Sequence, residues 1–213
     1  GTGDLLDELI KKFKWPSGRP ETETEDNSIK VAIIGKPNTG KSSIVNQILG
    51  EKRVIVSEIA HTTREPQDTL INYKGQDITI IDTAGLRKKA KIDKGLEKLS
   101  TRKSLDMTRN ADIVVFVSEA NQFLSKQDAA LAGLIKEAGA GMLIIANKWD
   151  LVEDKDTHSD KEFRAHYQRH FPFLSFAPIL FTSAKDGKNT DKILDLVLDI
   201  YKEKTKTLSD EEL

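Results

Sequence analysis

Gly35, Gly40, Lys41 and Ser42 are the first residues in the chain whose types and spacing could do chemistry. Glycines with four residues between them let backbone N–H groups turn inward around an anion. A lysine there reaches the β and γ phosphates of a nucleotide, and the serine hydroxyl can ligate Mg2+. In this P-loop pattern the nucleotide would be held by Asn38, Thr39, Gly40, Lys41, Ser42 and Ser43, with Lys41 also carrying charge in catalysis. A second group is "IIDTAG" (80–85), where Asp82 can hold Mg2+ through water and the Gly85 N–H can meet a γ-phosphate. A third is "NKWD" (147–150). Asp150 can accept both N1–H and the exocyclic amine of guanine, whereas adenine offers an acceptor at N1 and no amine at C2. Asn147 can bond the N7/O6 side of the purine, and the Lys148 stem can lie over the ring. The fourth, "TSAK" (182–185), brings Ser183, Ala184 and Lys185, whose backbone N–H groups can meet guanine O6. A glycine-serine turn capping a helix would share the first pattern alone. Four groups in this order, each after an apolar run, predict GTP and its product GDP.

The elements that must position these groups are legible as short β-rich runs alternating with helical patterns. Strands are predicted over Lys30–Ile34, Thr69–Tyr73, Ile78–Ile81, Ile113–Ser118, Met142–Ala146 and Ile179–Thr182. Helices are predicted near 41–49, 94–108, 125–138, 160–169 and 190–203. Strands this apolar, separated by helix-length segments, imply an α/β P-loop G domain. Its sheet would be mostly parallel and six-stranded, with one antiparallel edge strand and helices on both faces. The antiparallel strand follows from the short "KGQ" connection between residues 73 and 77, which suits a hairpin.

Composition bounds the rest. A chain of 213 residues suits one domain of ordinary size with tails or a fragment of a second. The net charge of −1 demands neither nucleic acid nor anionic lipid globally, so such a contact must come from a local patch. With no cysteine, disulfides, thiolate metal sites and thiol nucleophiles are excluded, and a reducing cytoplasm is the expected setting. No apolar run approaches the roughly 18 residues of a membrane span, so no membrane partner is expected. "WPSGRPETETEDNS" (15–28) has the composition of an acidic linker. "TGDLLDELI" (2–10) resembles "TDKILDLVL" (190–198), sharing Thr, Leu and Asp in register. Amphipathic helices look alike, but the repeat also suits a preceding copy of the same domain. The chain starts without Met and ends on "TLSDEEL", as an excised piece of a longer protein would.

"GKPNTGKS", "DTAGL", "NKWD" and "SAK" resemble the motifs of translation-factor-related GTPases. Three longer stretches narrow the resemblance: "KRVIVSEIAHTTRE" (52–65), "DTAGLRKKAKIDKGLEKLS" (82–100) and "FPFLSFAPILFTSAKDGK" (171–188). They are similar to the second G domain of the double-G-domain ribosome-assembly family EngA, also called Der. The resemblance implies that 1–14 is the last helix of an upstream G domain and 15–28 the linker. It makes 29–204 the GTP-binding domain and 205–213 the start of a connection to a downstream KH-like domain. The function implied is a GTP-hydrolysing switch in assembly of the large ribosomal subunit, with rRNA as a partner. A nucleotide-gated binding module, or a potassium-using GTPase of tRNA modification, are the alternatives.

GTPases of the Ras kind carry a water-positioning glutamine right after DxxG, whereas this chain has Leu86. The family resemblance implies that K+ meets the transition-state charge, held by Asn38 and by carbonyls near Ser57 and Ile59, with help from Thr62. Thr63 is then the Mg2+ ligand that senses the γ-phosphate, beside Ser42 and Asp82. A turn-stabilising residue would equally be an asparagine at 38. His61 stands where the family usually has glycine, which puts the efficiency of K+ use in doubt. His166 and His170 share a helix face without a third ligand, and "RKKAKIDK" (87–94) suits either a solvated loop or an RNA-touching surface.

Overall fold

The computed structural model describes residues 27–56, 68–84, 86, 106–122, 124–153 and 159–206. The readings on 1–26 and 87–94, and on Ser57, Ile59, His61, Thr62, Thr63 and Gly85, lie outside them. So does most of the helix expected over 94–108; its described residues, 106–108, are helical, as is 109.

The described strands are β1 (Ile29–Ile34), β2 (Val54–Val56), β3 (Thr69–Tyr73), β4 (Gln76–Ile80), β5 (Ile113–Glu119), β6 (Gly141–Asn147) and β7 (Ile179–Phe181). They form one sheet in the order β2-β3-β4-β1-β5-β6-β7. Pairings of β1 with β4 and β5, β5 with β6, and β6 with β7 are all parallel. Seven strands rather than six are present, and the reversed strand, β3, lies one in from the edge. The edge itself is β2, which pairs antiparallel with β3 through Val54↔Tyr73 and Val56↔Ile71. Periodicity could not find β2, because three residues are too few for a period and Ile55 is 71% exposed. The expected hairpin is present: Tyr73 pairs with Gln76, and Lys74 and Gly75 both take positive φ, 53° and 81°. Two such residues make a turn whose twist matches that of the strands it joins.

Among the described residues the helices that cover the sheet are α1 (Lys41–Gly50), α2 (Lys126–Glu137), α3 (Ser159–His170) and α4 (Ile193–Thr205). All residues of β5 are buried, and they alternate between two cores. Ile113, Val115 and Val117 pack in one cluster with Ile44, Val45 and Ile48 of α1 and Ile193, Leu194 and Val197 of α4. Val114 and Phe116 pack on the opposite face with Leu131, Ala132 and Ile135 of α2 and Tyr167 of α3. Each fully buried Val, Leu, Ile or Phe contributes about 1.5–3 kcal/mol, so this two-sided burial dominates the stability. It also explains the nearly continuous apolar runs. Because β4, β1, β5, β6 and β7 run in parallel, the segments after them emerge at one edge of the sheet. Residues 35–40, 82–84 with 86, 120–122 with 124–125, 148–151 and 182–188 are the described residues of those segments. Ligands of open α/β sheets bind at this edge, where the chain winds off in opposite directions on either side of β1.

Candidate nucleotide-binding site

The loop between β1 and α1 has the shape of an anion cradle, and its two glycines are there for different contacts. A Cβ on Gly35 would lie 2.1 Å from the Val117 carbonyl oxygen of β5. A Cβ on Gly40, whose φ is 93°, would lie 2.2 Å from the Asn147 amide nitrogen. The first glycine lets the loop leave the sheet against β5, and the second lets the residue-147 amide reach the loop. Gly40 is also the N-cap of α1, where no side chain caps the first turn and no acidic residue lies in it. Uncapped N–H groups at a helix start suit a bound phosphate. Thr39 is fully buried and its hydroxyl donates to the Lys36 carbonyl at 3.0 Å. The Lys41 ammonium donates to that same carbonyl, which holds it across the loop. Asn38 stands exposed at the crest with φ 65°, a conformation that asparagine tolerates better than most side chains.

Asn147, at the end of β6, ties three of the predicted groups together. Its amide donates to the Thr39 carbonyl at 2.8 Å. Its oxygen accepts from the Thr182 hydroxyl at 3.1 Å and the Ala184 N–H at 3.0 Å. Only 2% of this residue is exposed. Sequence reading places Asn147 and the Ala184 N–H on the purine, whereas here they hold each other. Asp150, the residue expected to read the base, lies in the same loop. The Ser183 hydroxyl donates to Asp150 at 2.7 Å and is also 2.9 Å from the Asp186 carboxylate. Lys148 takes a left-handed conformation, φ 62°, and its ammonium pairs with Glu119 at 3.0 Å. A stem so held is available to a flat ring. Lys185 is exposed beside Ala184.

Ser42 and Asp82 are the described residues of the expected Mg2+ site. The Ser42 hydroxyl donates to the Leu86 carbonyl at 2.7 Å, leaving its oxygen lone pairs for a cation. Asp82 is only 9% exposed, has φ 55°, and its N–H donates to Asp68 at 2.7 Å. A hydroxyl and a carboxylate beside an uncapped helix start are hard oxygen donors that fit Mg2+. Leu86 is 7% exposed and packs in the core with α1 and β1. Neither its type nor its position lets it orient water. Ser43 is exposed on the first turn of α1.

Several residues of the site went unread in the sequence. Glu119 and Asp128 are buried carboxylates that pair with Lys148 and Lys36, and Gln47 donates to the Ala184 carbonyl at 2.9 Å. The "SKQD" capping pattern was the one available signal for Asp128, and it points to a helix start rather than to the loop. His166 is half-buried with its ring edge on Tyr167. Among the described residues no three of His, Cys, Asp and Glu cluster as a metal site.

Residues 30–148 match the family described as "50S ribosome-binding GTPase". Curated relatives named GTPase Der align along nearly the whole chain. That of Caldicellulosiruptor saccharolyticus is 45% identical over 209 residues, covering 98% of this chain and 47% of that protein. That of Geobacillus kaustophilus is 47% identical over 197 residues, covering 92% of this chain and 44% of its own length. The chain thus spans about half the length of the curated relatives it matches. Among solved structures, Era in complex with MgGDPNP and nucleotides 1506–1542 of 16S ribosomal RNA superposes with a TM-score of 0.60 at 24% identity. It covers 88% of this chain and 61% of its own. The elongation factor SelB of Methanococcus maripaludis, with the GTP analogue GppNHp, gives 0.61 at 13% identity over 86% of this chain and 35% of its own. At these identities the two structures bear on the fold alone. With a family match over more than half its length, the chain belongs to the 50S ribosome-binding GTPases, and the GTPase Der proteins are its relatives within reach of plain alignment.

Proposed function

We propose that the chain is a G domain that binds GTP and hydrolyses it to GDP and phosphate, as one part of a longer protein acting in large-subunit assembly. The observation that carries this reading is Asn147, which fastens Thr39 of the phosphate loop to Thr182 and Ala184 of the last loop. Phosphate and base contacts thereby share one frame. In it Asp150 reads guanine, while Asn38, Thr39, Gly40, Lys41, Ser42 and Ser43 hold the phosphates. Ser183, Ala184 and Lys185 line the base side. Ser42 and Asp82, with Thr63, are the residues for Mg2+, which when bound neutralises charge between the β and γ phosphates.

Hydrolysis is in-line attack of water on the γ-phosphorus, breaking its bond to the oxygen that leaves with GDP. Lys41 stabilises charge on the transferring group, and the Gly85 N–H offers it a donor. The burial of Leu86 supports slow turnover unless another positive charge is supplied. K+ would supply it, with the amide oxygen of Asn38 and the 57–62 segment (Ser57, Ile59, Thr62) as ligands. The exposed crest position of Asn38 is compatible with that role. The domain limits proposed are those of the sequence: 1–14 from an upstream G domain, a linker to 28, and a connection from 205 toward a KH-like domain. Those domains in cis, rRNA of the large subunit and the cytoplasm complete the setting. Among the described residues no helix is long and apolar enough to cross a membrane.

The test is phosphate release from GTP in potassium and in sodium at matched ionic strength. Asn38→Gly is the informative variant, because glycine keeps the left-handed backbone and removes only the amide. Stimulation by potassium in the parent and its loss in the variant are expected. Equal rates in both salts would remove the K+ assignment, and no release in either would leave a nucleotide-gated binding module.

A further inference from the structure

We propose that Asp128 is a positioning residue for the phosphate loop and that it acts through Lys36. This rests on the reading of the loop as a nucleotide site. Asp128 is 1% exposed in the first turn of α2. One of its carboxylate oxygens accepts from the Ser125 N–H and the Ser125 hydroxyl, each at 2.8 Å, and pairs with the Lys36 ammonium at 2.8 Å. The other oxygen is buried and has no hydrogen-bond partner among the described residues. Capping α2 explains the two contacts with Ser125. Capping alone does not call for burying the charge, since an exposed side chain caps a helix equally well. A buried carboxylate is tolerated when a cation compensates it, and the cation here comes from the phosphate loop.

What Lys36 does with its backbone gives the pair its consequence. Its carbonyl accepts from the Lys41 ammonium and from the Thr39 hydroxyl. The lysine that meets the phosphates is therefore oriented by a carbonyl whose own residue is anchored, through its side chain, to α2. The far end of the loop is fixed separately, by Asn147 on the Thr39 carbonyl. Between the two anchors stand only Pro37 and Asn38, both exposed. Releasing Lys36 frees one end of the cradle and lets the carbonyl under Lys41 turn. Phosphate groups are recognised by donors already in place, so a freed cradle binds them less well.

The test measures binding of GDP bearing a fluorescent ribose label to the chain and to Asp128→Asn, Lys36→Met, their double variant and Lys36→Arg. Each of the first two is expected to weaken GDP about five- to tenfold. The double variant should be no worse than the weaker single one, because both break the same link. Lys36→Arg should stay within about twofold of the parent, since it keeps a cation within reach of the carboxylate. Lys36→Met keeps the Ser125 contacts of the α2 cap but leaves the buried Asp128 carboxylate without its cation, so urea unfolding of each variant is measured beside GDP binding to separate a folding loss from a loosened cradle. Multiplying losses in the double variant, or unchanged GDP binding by Lys36→Met, would overturn the proposal while leaving the nucleotide site standing. A parent chain that fails to bind GDP overturns the site reading and this inference with it.

Discussion

At the scale of single residues, the proposed function rests base choice on Asp150. Its carboxylate accepts from Ser183, and an asparagine could keep that bond through its carbonyl while losing the charge. Asp150→Asn should therefore weaken GDP by about 2–3 kcal/mol, the worth of hydrogen bonds to a charged group. It should admit xanthosine diphosphate, because the new amide can donate to the xanthine C2 carbonyl. Titration with both nucleotides checks this, and an undiminished preference for GDP would show that Asp150 does not read the base. Asn147 is a different case. Asn147→Ala strands the Thr39 carbonyl and the Ala184 N–H in a buried place, so it should cost about 2–4 kcal/mol of stability before any ligand is added. Urea unfolding of the nucleotide-free chain measures it, and a loss below about 0.5 kcal/mol, the usual size for an inert surface change, would refute the role. Both positions stand out in the sequence because guanine and phosphate chemistry admits few side chains at fixed spacing, but the bonds of Asn147 to Thr39, Thr182 and Ala184 are not legible there. Glu119 and Asp128 were not, since nothing local to "SEA" or "SKQD" announces partners in other loops.

At the scale of elements, the docking of α3 on β5 includes a titratable contact. The Tyr167 hydroxyl lies 2.6 Å from that of Ser118, and burial pushes the phenol up to about 12, the hydrogen bond between the two hydroxyls opposing this. The phenol is neutral in both states below its unfolded value of about 10. Above that, the unfolded chain ionises and the folded chain resists, so stability falls as pH rises from about 10 to 12, by about 2–3 kcal/mol for this group. Tyr73, also raised to about 12, titrates in the same window. Tyr167→Phe should therefore cost about 1 kcal/mol at pH 7 through the lost hydrogen bond, yet flatten part of the alkaline decline. Urea midpoints at pH 7, 10 and 11 report both effects, and a variant curve parallel to the parent's would contradict the assignment. Strands buried on two faces, such as β5 and β6, were legible as apolar runs because both faces demand apolar residues. β2 was not, since its pairing with β3 comes from backbone hydrogen bonds and its side chains are mostly solvated. The helix expected over 190–203 is present as a 3-10 turn over 190–192 followed by α4 from Ile193 to Thr205.

At the scale of the whole molecule, the sheet order places five loops at one edge, and that order cannot be read from periodicity. Alternation of strands and helices implies parallel pairing, but which strand is central depends on which faces each run must bury. β1 is flanked by β4 and β5, so the phosphate loop leaves the middle of the sheet and borders both the 82–86 segment and the residue-147 loop. On the proposed function, a nucleotide held there would bridge α1, the segment after β4, β6 and the loop after β7, and opening any of them would cost its contacts. Its binding energy is then added to global stability. GDP with Mg2+ at a hundredfold excess over its dissociation constant should add about 2.7 kcal/mol. At about 2–4 °C per kcal/mol for a chain of this size, the unfolding midpoint should rise by about 5–10 °C. ATP at the same concentration should leave the midpoint where it was, since Asp150 would face an adenine acceptor across the base site. Asp150→Asn should reduce the GDP shift at that concentration, whereas Tyr167→Phe should lower the starting midpoint and keep the shift. A calorimetric scan in which ATP protects as well as GDP would mean that the loops after β6 and β7 do not share the phosphate loop's ligand.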